Sequence, residues 1–250
     1  MMVKKPENDI CRLCGETRVL VRSHIVPEFL HRDLYDERSR AAALRPLMGK
    51  QHPIQKGLRE KLLCFECEQF LNDRFEKPFL AMWRDGNMRP ELLPPGKVYV
   101  VNGLDYAKAK LFLLSVLWRA SVATRDEFSL DLGPHGARIK RMILDEDAGD
   151  VERYPIVGTF AVDEVGNLLP FVSSPMQLRL FGHHACAFGL GGCEWTFFTS
   201  SHPVKQARGI GLQPRGPSFF AAQLLRDLRT FSAVRTLADR RRGRDASPQA

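Results

Sequence analysis

Four of the chain's six cysteines fall into two pairs, Cys11-Arg12-Leu13-Cys14-Gly15 and Cys64-Phe65-Glu66-Cys67. Two thiolates three residues apart can converge on one tetrahedral ion without straining the turn that joins them. Gly15, directly after the first pair, permits the close backbone turn of such a knuckle. Together the pairs supply four sulfurs and leave no open coordination position, which is the structural class of Zn2+ site. The spacing is wide, with 49 residues between Cys14 and Cys64. The opposing reading is four unrelated buried cysteines; two such pairs among six cysteines arise rarely by chance. Cys186 and Cys193 lie in apolar, strand-like stretches and read as core thiols.

Between the pairs lies Arg22-Ser23-His24-Ile25-Val26-Pro27, and the second pair is embedded in Leu62-Leu63-Cys64-Phe65-Glu66-Cys67-Glu68. In these elements the chain resembles the HNH, or ββα-metal, endonucleases, over about Cys11–Trp83. The resemblance implies that His24 is the general base that activates water against a phosphodiester, a task suited to a side chain titrating near neutral pH. Ser23 stands where the family usually carries a metal-binding aspartate. Glu68 stands where it carries an asparagine or histidine near the catalytic metal, and a carboxylate is a competent ligand for Mg2+ or Mn2+. Asn72 and Glu76 follow at four-residue intervals, so the three share a helix face and Asn72 joins Glu68 as a candidate ligand. The family's asparagine that fixes the imidazole is absent; Arg59, Glu60 and Lys61 occupy its neighbourhood. The bland alternatives are a structural histidine at His24 and, at Glu68, a surface carboxylate favoured by the first turn of a helix.

The elements that must position these groups are short. Thr17–His24 reads as a strand, and Pro27 opens a helix over roughly Glu28–Tyr35. Residues 37–56 read as an irregular insertion and Leu58–Leu63 as a second strand. Glu66–Arg84 reads as a long helix burying Phe70, Leu71, Phe75, Phe79, Met82 and Trp83, with a kink or break near Pro78. Three prolines and a glycine in Arg89–Gly96 mark a domain boundary. Beyond it, Lys97–Val101, Ile156–Val162, Leu168–Val172, His183–Leu190 and Glu194–Phe198 read as strands. Asp105–Thr124 is a helix capped by Asp105, Pro134–Leu144 a second, and Ser218–Leu237 a third.

The fold class expected is therefore α+β. Residues 1–93 form a zinc-stabilised ββα-metal domain, residues 97–238 a larger α+β domain with an antiparallel sheet, and residues 239–250 a basic disordered tail. His31, the His183-His184 pair, the Gly209-Ile210-Gly211 turn and the Trp195, Phe197 and Phe198 cluster all read as structural.

Apolar residues make up 44% of the 250 and charged residues 26%, an ordinary balance for a globular chain. No apolar run is long enough to span a bilayer, and the polar start Met1–Asp9 lacks the core of a secretory signal, so a cytoplasmic location is expected. The net charge is +8, and residues 201–250 alone hold 10 basic and 3 acidic side chains. Arg240, Arg241 and Arg242 are the candidates for nucleic-acid contact through counterion release; the opposing reading is a solvated tail. The resemblance implies metal-dependent hydrolysis of DNA or RNA in a bacterial or phage setting, with no membrane partner. The rival is a non-catalytic zinc module that binds nucleic acid or a protein, its second domain doing the recognising.

Overall fold

The computed structural model describes residues 8–34, 40–42, 53–55, 59–84, 90–93, 98–128 and 130–231. The first part contains β1 (Asn8–Ile10), β2 (Thr17–His24), β3 (Arg40–Ala42), β4 (Pro53–Gln55) and β5 (Arg59–Cys64). Strand β2 lies between β1 and β5 in a three-stranded antiparallel sheet, while β3 and β4 pair with each other inside the segment expected to be irregular. The helix expected at Glu28–Tyr35 is instead two 3-10 turns, Glu28–Leu30 and Arg32–Leu34. Leu30 and His31 donate only three residues back, to the Pro27 and Glu28 carbonyls, so no α-helical ladder starts.

Helix α1 (Phe65–Leu71) begins directly after β5. It passes into a π-helical turn, Asn72–Glu76, before α2 (Lys77–Arg84). The break expected at Pro78 is thus an internal widening, with the Lys77 N–H reaching five residues back to the Asn72 carbonyl. A proline ring crowds the carbonyl four residues before it and lacks a donor for it, and a wider preceding turn accommodates both defects.

The second part contains β6 (Pro90–Leu93), β7 (Val98–Val101), α3 (Tyr106–Val122), α4 (Pro134–Leu144), β8 (Ile156–Val162), β9 (Met176–Leu180), β10 (His183–Leu190), β11 (Cys193–Phe198) and β12 (Ser218–Leu224). One seven-stranded sheet takes the order β6-β7-β12-β8-β11-β10-β9. Its pairs are antiparallel except β12 with β8, which run parallel.

Three expectations are corrected here. Pro90–Leu93, within the segment read as a boundary, is an edge strand of the large sheet. Leu168–Val172 forms only an isolated bridge, Val162 to Leu168, and the strand next to β10 is β9 instead. The first part of the helix expected at Ser218–Leu237 is instead strand β12 followed by a 3-10 turn at Leu225–Asp227; helical backbone begins only at residues 229–231, and residues 232–250 lie outside the described set. The stretch Phe219–Leu224 is apolar enough for either element. Pairing with β7 on one side and β8 on the other satisfies its backbone in the extended form.

Asp105 caps α3 as expected, its Oδ1 accepting the Lys108 N–H at 3.0 Å. Every residue from Ala109 to Ala120 is buried, so α3 runs through the interior rather than along a surface. Phe112 stacks on Phe79 of α2 with ring centroids 4.1 Å apart. Trp83, also on α2, stands 6.0 Å from Trp195 of the large sheet. A single buried cluster consequently runs from Cys11 in the first part to Phe220 in the last strand.

Candidate metal centre and the adjoining polar cluster

The sulfurs of Cys11, Cys14, Cys64 and Cys67 all lie within 4.8 Å of one another. A zinc ion bonded at about 2.3 Å to four sulfurs separates them by about 3.8 Å, so the set closes on such an ion with small side-chain adjustment. The local chain explains the convergence. Gly15 takes φ +83° and returns its N–H to the Cys11 carbonyl, which curls the first pair into a knuckle. The second pair straddles the junction of β5 and α1, with Cys64 still extended and Cys67 in the first helical turn. The Arg12 N–H bonds the Leu62 carbonyl and the Cys64 N–H points at Cys11 Sγ, at 3.3 Å, stitching knuckle to helix start.

The thiols' electrostatics suit a cation. Burial pushes Cys11 up, but the N–H groups of Cys64, Cys14 and Leu13 outweigh it and bring the thiol down to about 7. Burial raises Cys64 to about 11 and Cys67 beyond the ordinary thiol range, so the set does not ionise fully without a positive charge at its centre. Cys186 and Cys193 are buried in the large sheet and stand apart from this group. Among the described residues the four cysteines are the group of metal-binding side chains that converges.

Strand β2 carries His24 to the far end of the small sheet. Its cross-strand partner is Arg59 on β5, and Arg59 Nε donates to His24 Nε2 at 2.6 Å. Glu28, one turn on, lies 3.8 Å from His24 Nε2 and 3.6 Å from Arg59 Nη2. Of the three residues in the neighbourhood of the missing asparagine, Arg59 is the one on the imidazole. Glu60 accepts instead from the N–H and hydroxyl of Thr124, and Lys61 is exposed. The His24 side chain keeps 20% of its surface exposed, so this edge of the cluster is open to solvent.

Behind His24 the cluster is more deeply buried. Arg119, fully buried on α3, donates through Nη1 to the His24 carbonyl at 2.9 Å and to Glu76 Oε1 at 2.7 Å. Glu68 lies beside them. Burial pushes its carboxyl up and the charge of Glu76 adds to the rise, against the opposing pull of Arg119, the Ser23 hydroxyl and the His24 N–H. Its Oε2 is buried without a hydrogen-bond partner, and the Ser23 hydroxyl, though near, makes no bond of good geometry.

The π turn explains why Glu68 and Glu76 meet. In a regular helix, residues eight apart are about 80° out of line; one extra residue in a widened turn brings them to within about 20°. Asn72, inside that turn, directs its amide to Asp73 at 3.4 Å, in an exposed position.

Of the residues singled out from sequence, the structure groups the four cysteines, and it sets His24, Glu68 and Glu76 around the Arg119 guanidinium, with Ser23 beside Glu68. Arg240, Arg241 and Arg242 lie outside the described residues. Arg119 was missed. Its signal was a lone arginine among Leu111–Ala120, where a fully buried charge demands a partner.

No family model, curated protein or solved structure matches the chain. No helix among the described residues is long and apolar enough to cross a membrane.

Proposed function

We propose that the chain is an HNH-type endonuclease in which His24 is the general base, and that the strand–strand–helix around the cysteines is its ββα-metal domain. The carrying observation is the joint placement of a half-buried imidazole, a guanidinium on that imidazole and an orphaned carboxylate oxygen beside the same residue's backbone.

The chemistry follows from these positions. His24 Nε2 accepts from Arg59, so its proton sits on Nδ1 and the Nε2 lone pair, which a general base needs, is held by the guanidinium until Arg59 moves. Arg59 is 34% exposed and only loosely tied to Glu28, so an incoming phosphodiester draws the guanidinium to its oxygens and releases Nε2 for the water. Arg119 fixes the base from behind by holding the His24 carbonyl. The Glu68 oxygen is a hard donor of the kind magnesium or manganese takes together with water and substrate phosphate, and such an ion neutralises developing charge when bound. Zinc at the four cysteines is structural and fixes the β5–α1 junction that carries Glu68.

A second reading has its own support. Ser23 is a poor metal ligand, and Arg119 already neutralises Glu76, so the cluster also suits a zinc module that binds without cutting.

Plasmid and single-stranded substrates with magnesium or manganese, incubated with wild type and His24→Ala, separate the two. Nuclease chemistry predicts a loss of about 100-fold or more, the contribution of a positioned general base, with zinc content unchanged. Equal cleavage by both proteins, or none by either with zinc bound, leaves the binding module.

A further inference from the structure

Several arginines on the described surface are tied to an acid: Arg18 to Glu16, Arg153 to Asp147, Arg208 to Glu152 and Arg226 to Glu164. The rim where β9, β10 and α4 meet differs. Arg179 on β9 and His184 on β10 are cross-strand partners, and Arg179 Nη2 contacts His184 Nε2 at 3.0 Å. Arg138 on α4 reaches the Ser201 hydroxyl at 3.0 Å. Neither guanidinium forms an ion pair among the described residues. Both arginines, His184 and Ser201 are exposed.

Side-chain alternation sets these groups on one face. His184 shares a side of β10 with Cys186 and Phe188, which join the core beneath α3 and α4. Arg179 shares a side of β9 with Gln177, whose amide donates to the Asp131 carbonyl in the loop leading into α4. The chain after β11 closes the gap: the Thr199 N–H bonds the His184 carbonyl, and Ser201, two residues on, takes Arg138.

Across α4, on its other flank, Lys140 donates to the Arg12 carbonyl of the cysteine knuckle at 2.9 Å and also lacks an ion pair among the described residues. Arg12 and Lys140 line a hollow of about 300 Å³. Asp131, the one carboxylate lining it, has Oδ1 taken by the Gly133 N–H at 2.7 Å. Unpaired cations thus flank both sides of α4, from the knuckle to the sheet edge.

We infer that this rim, with Arg138, Arg179 and His184 at its centre and Lys140 and Arg12 as its extension, binds the phosphate backbone of a nucleic acid strand. Two guanidiniums on one rim, one beside a hydroxyl and one beside an imidazole, offer phosphate both charge and directed donors, without reading sequence. The inference rests on the nucleic-acid reading above but not on catalysis, since none of these side chains touches His24.

The test measures binding of a labelled single-stranded oligonucleotide, over a salt series, by wild type, the double variant Arg138→Gln/Arg179→Gln and the ion-paired control Arg226→Gln. Losing two phosphate contacts should weaken binding and make the slope of log affinity against log salt shallower by about 1.4. The Arg226→Gln control should match wild type, and it and the double variant should keep the zinc content and melting temperature of the wild type. An unchanged slope in the double variant, absence of binding by wild type at low salt, or full displacement by millimolar inorganic phosphate overturns the inference. If wild type cuts nothing but the double variant still loses binding, the nuclease reading falls and the rim stands.

Discussion

Replacing Arg119 by methionine should destabilise the protein by about 3–5 kcal/mol, because it removes one partner of a buried ion pair and leaves the other. The guanidinium is fully buried and bridges Glu76 Oε1 at 2.7 Å and the His24 carbonyl at 2.9 Å. Each bond to a charged donor contributes about 1.5–3 kcal/mol, so two of them reach the same figure by a separate route. Methionine fills the stem's volume, so the loss reports on charge rather than on a cavity. Glu76→Gln alone also leaves a buried charge behind. The double variant, which removes both charges, should cost clearly less than the two single losses together, with a coupling of about 1–3 kcal/mol. Urea unfolding in excess zinc, followed by tryptophan fluorescence, supplies all four stabilities. A loss below about 1 kcal/mol for Arg119→Met, or strict additivity with Glu76→Gln, refutes the view that this guanidinium ties α3 to the small sheet.

Metal analysis of the reduced protein should return one zinc per chain, and Cys67→Ala should lose it together with the protease resistance of the β5–α1 junction. His31 gives a pH signature. Burial, and then the charge of His24, hold its imidazole down to about 4. Between that value and about 6.5 the unfolded chain binds a proton that the folded chain does not, so stability falls on acidification across this window, by up to about 3 kcal/mol. Unfolding curves of His31→Leu against wild type at pH 7 and pH 4.5 check it, since the variant should lack that part of the slope. Gly211 sits at φ +75°, and a Cβ there would stand 2.1 Å from the Ile156 carbonyl oxygen. Gly211→Ala should therefore cost about 3 kcal/mol, combining backbone strain with overpacking, and a melting temperature within a degree of wild type would contradict it.

The parts of the site that were legible in sequence are those coded locally. Paired cysteines announce a metal whatever lies between them, and the Asp105 cap and apolar run of α3 announce a helix. What was hidden depends on partners far along the chain. The Phe219–Leu224 stretch looks helical until β7 and β8, more than 50 residues earlier, offer it a ladder on each side. Arg119 joins His24 across a separation of 95 residues, which no window of sequence reveals. Arg59 was one of three candidates beside His24, and only the cross-strand register of β2 and β5 selects it. The π turn was masked because Pro78 signals disruption without saying which form it takes.

The slot occupied by β12 sets the order in which the molecule can be finished. Until residues 218–224 leave the ribosome, β7 and β8 each present a bare backbone edge, and the large sheet exists as two unjoined halves. Nascent chains halted before that point should therefore be sticky, held by chaperones or by one another, and a stop codon just before Ser218 would remove the strand that joins the two halves.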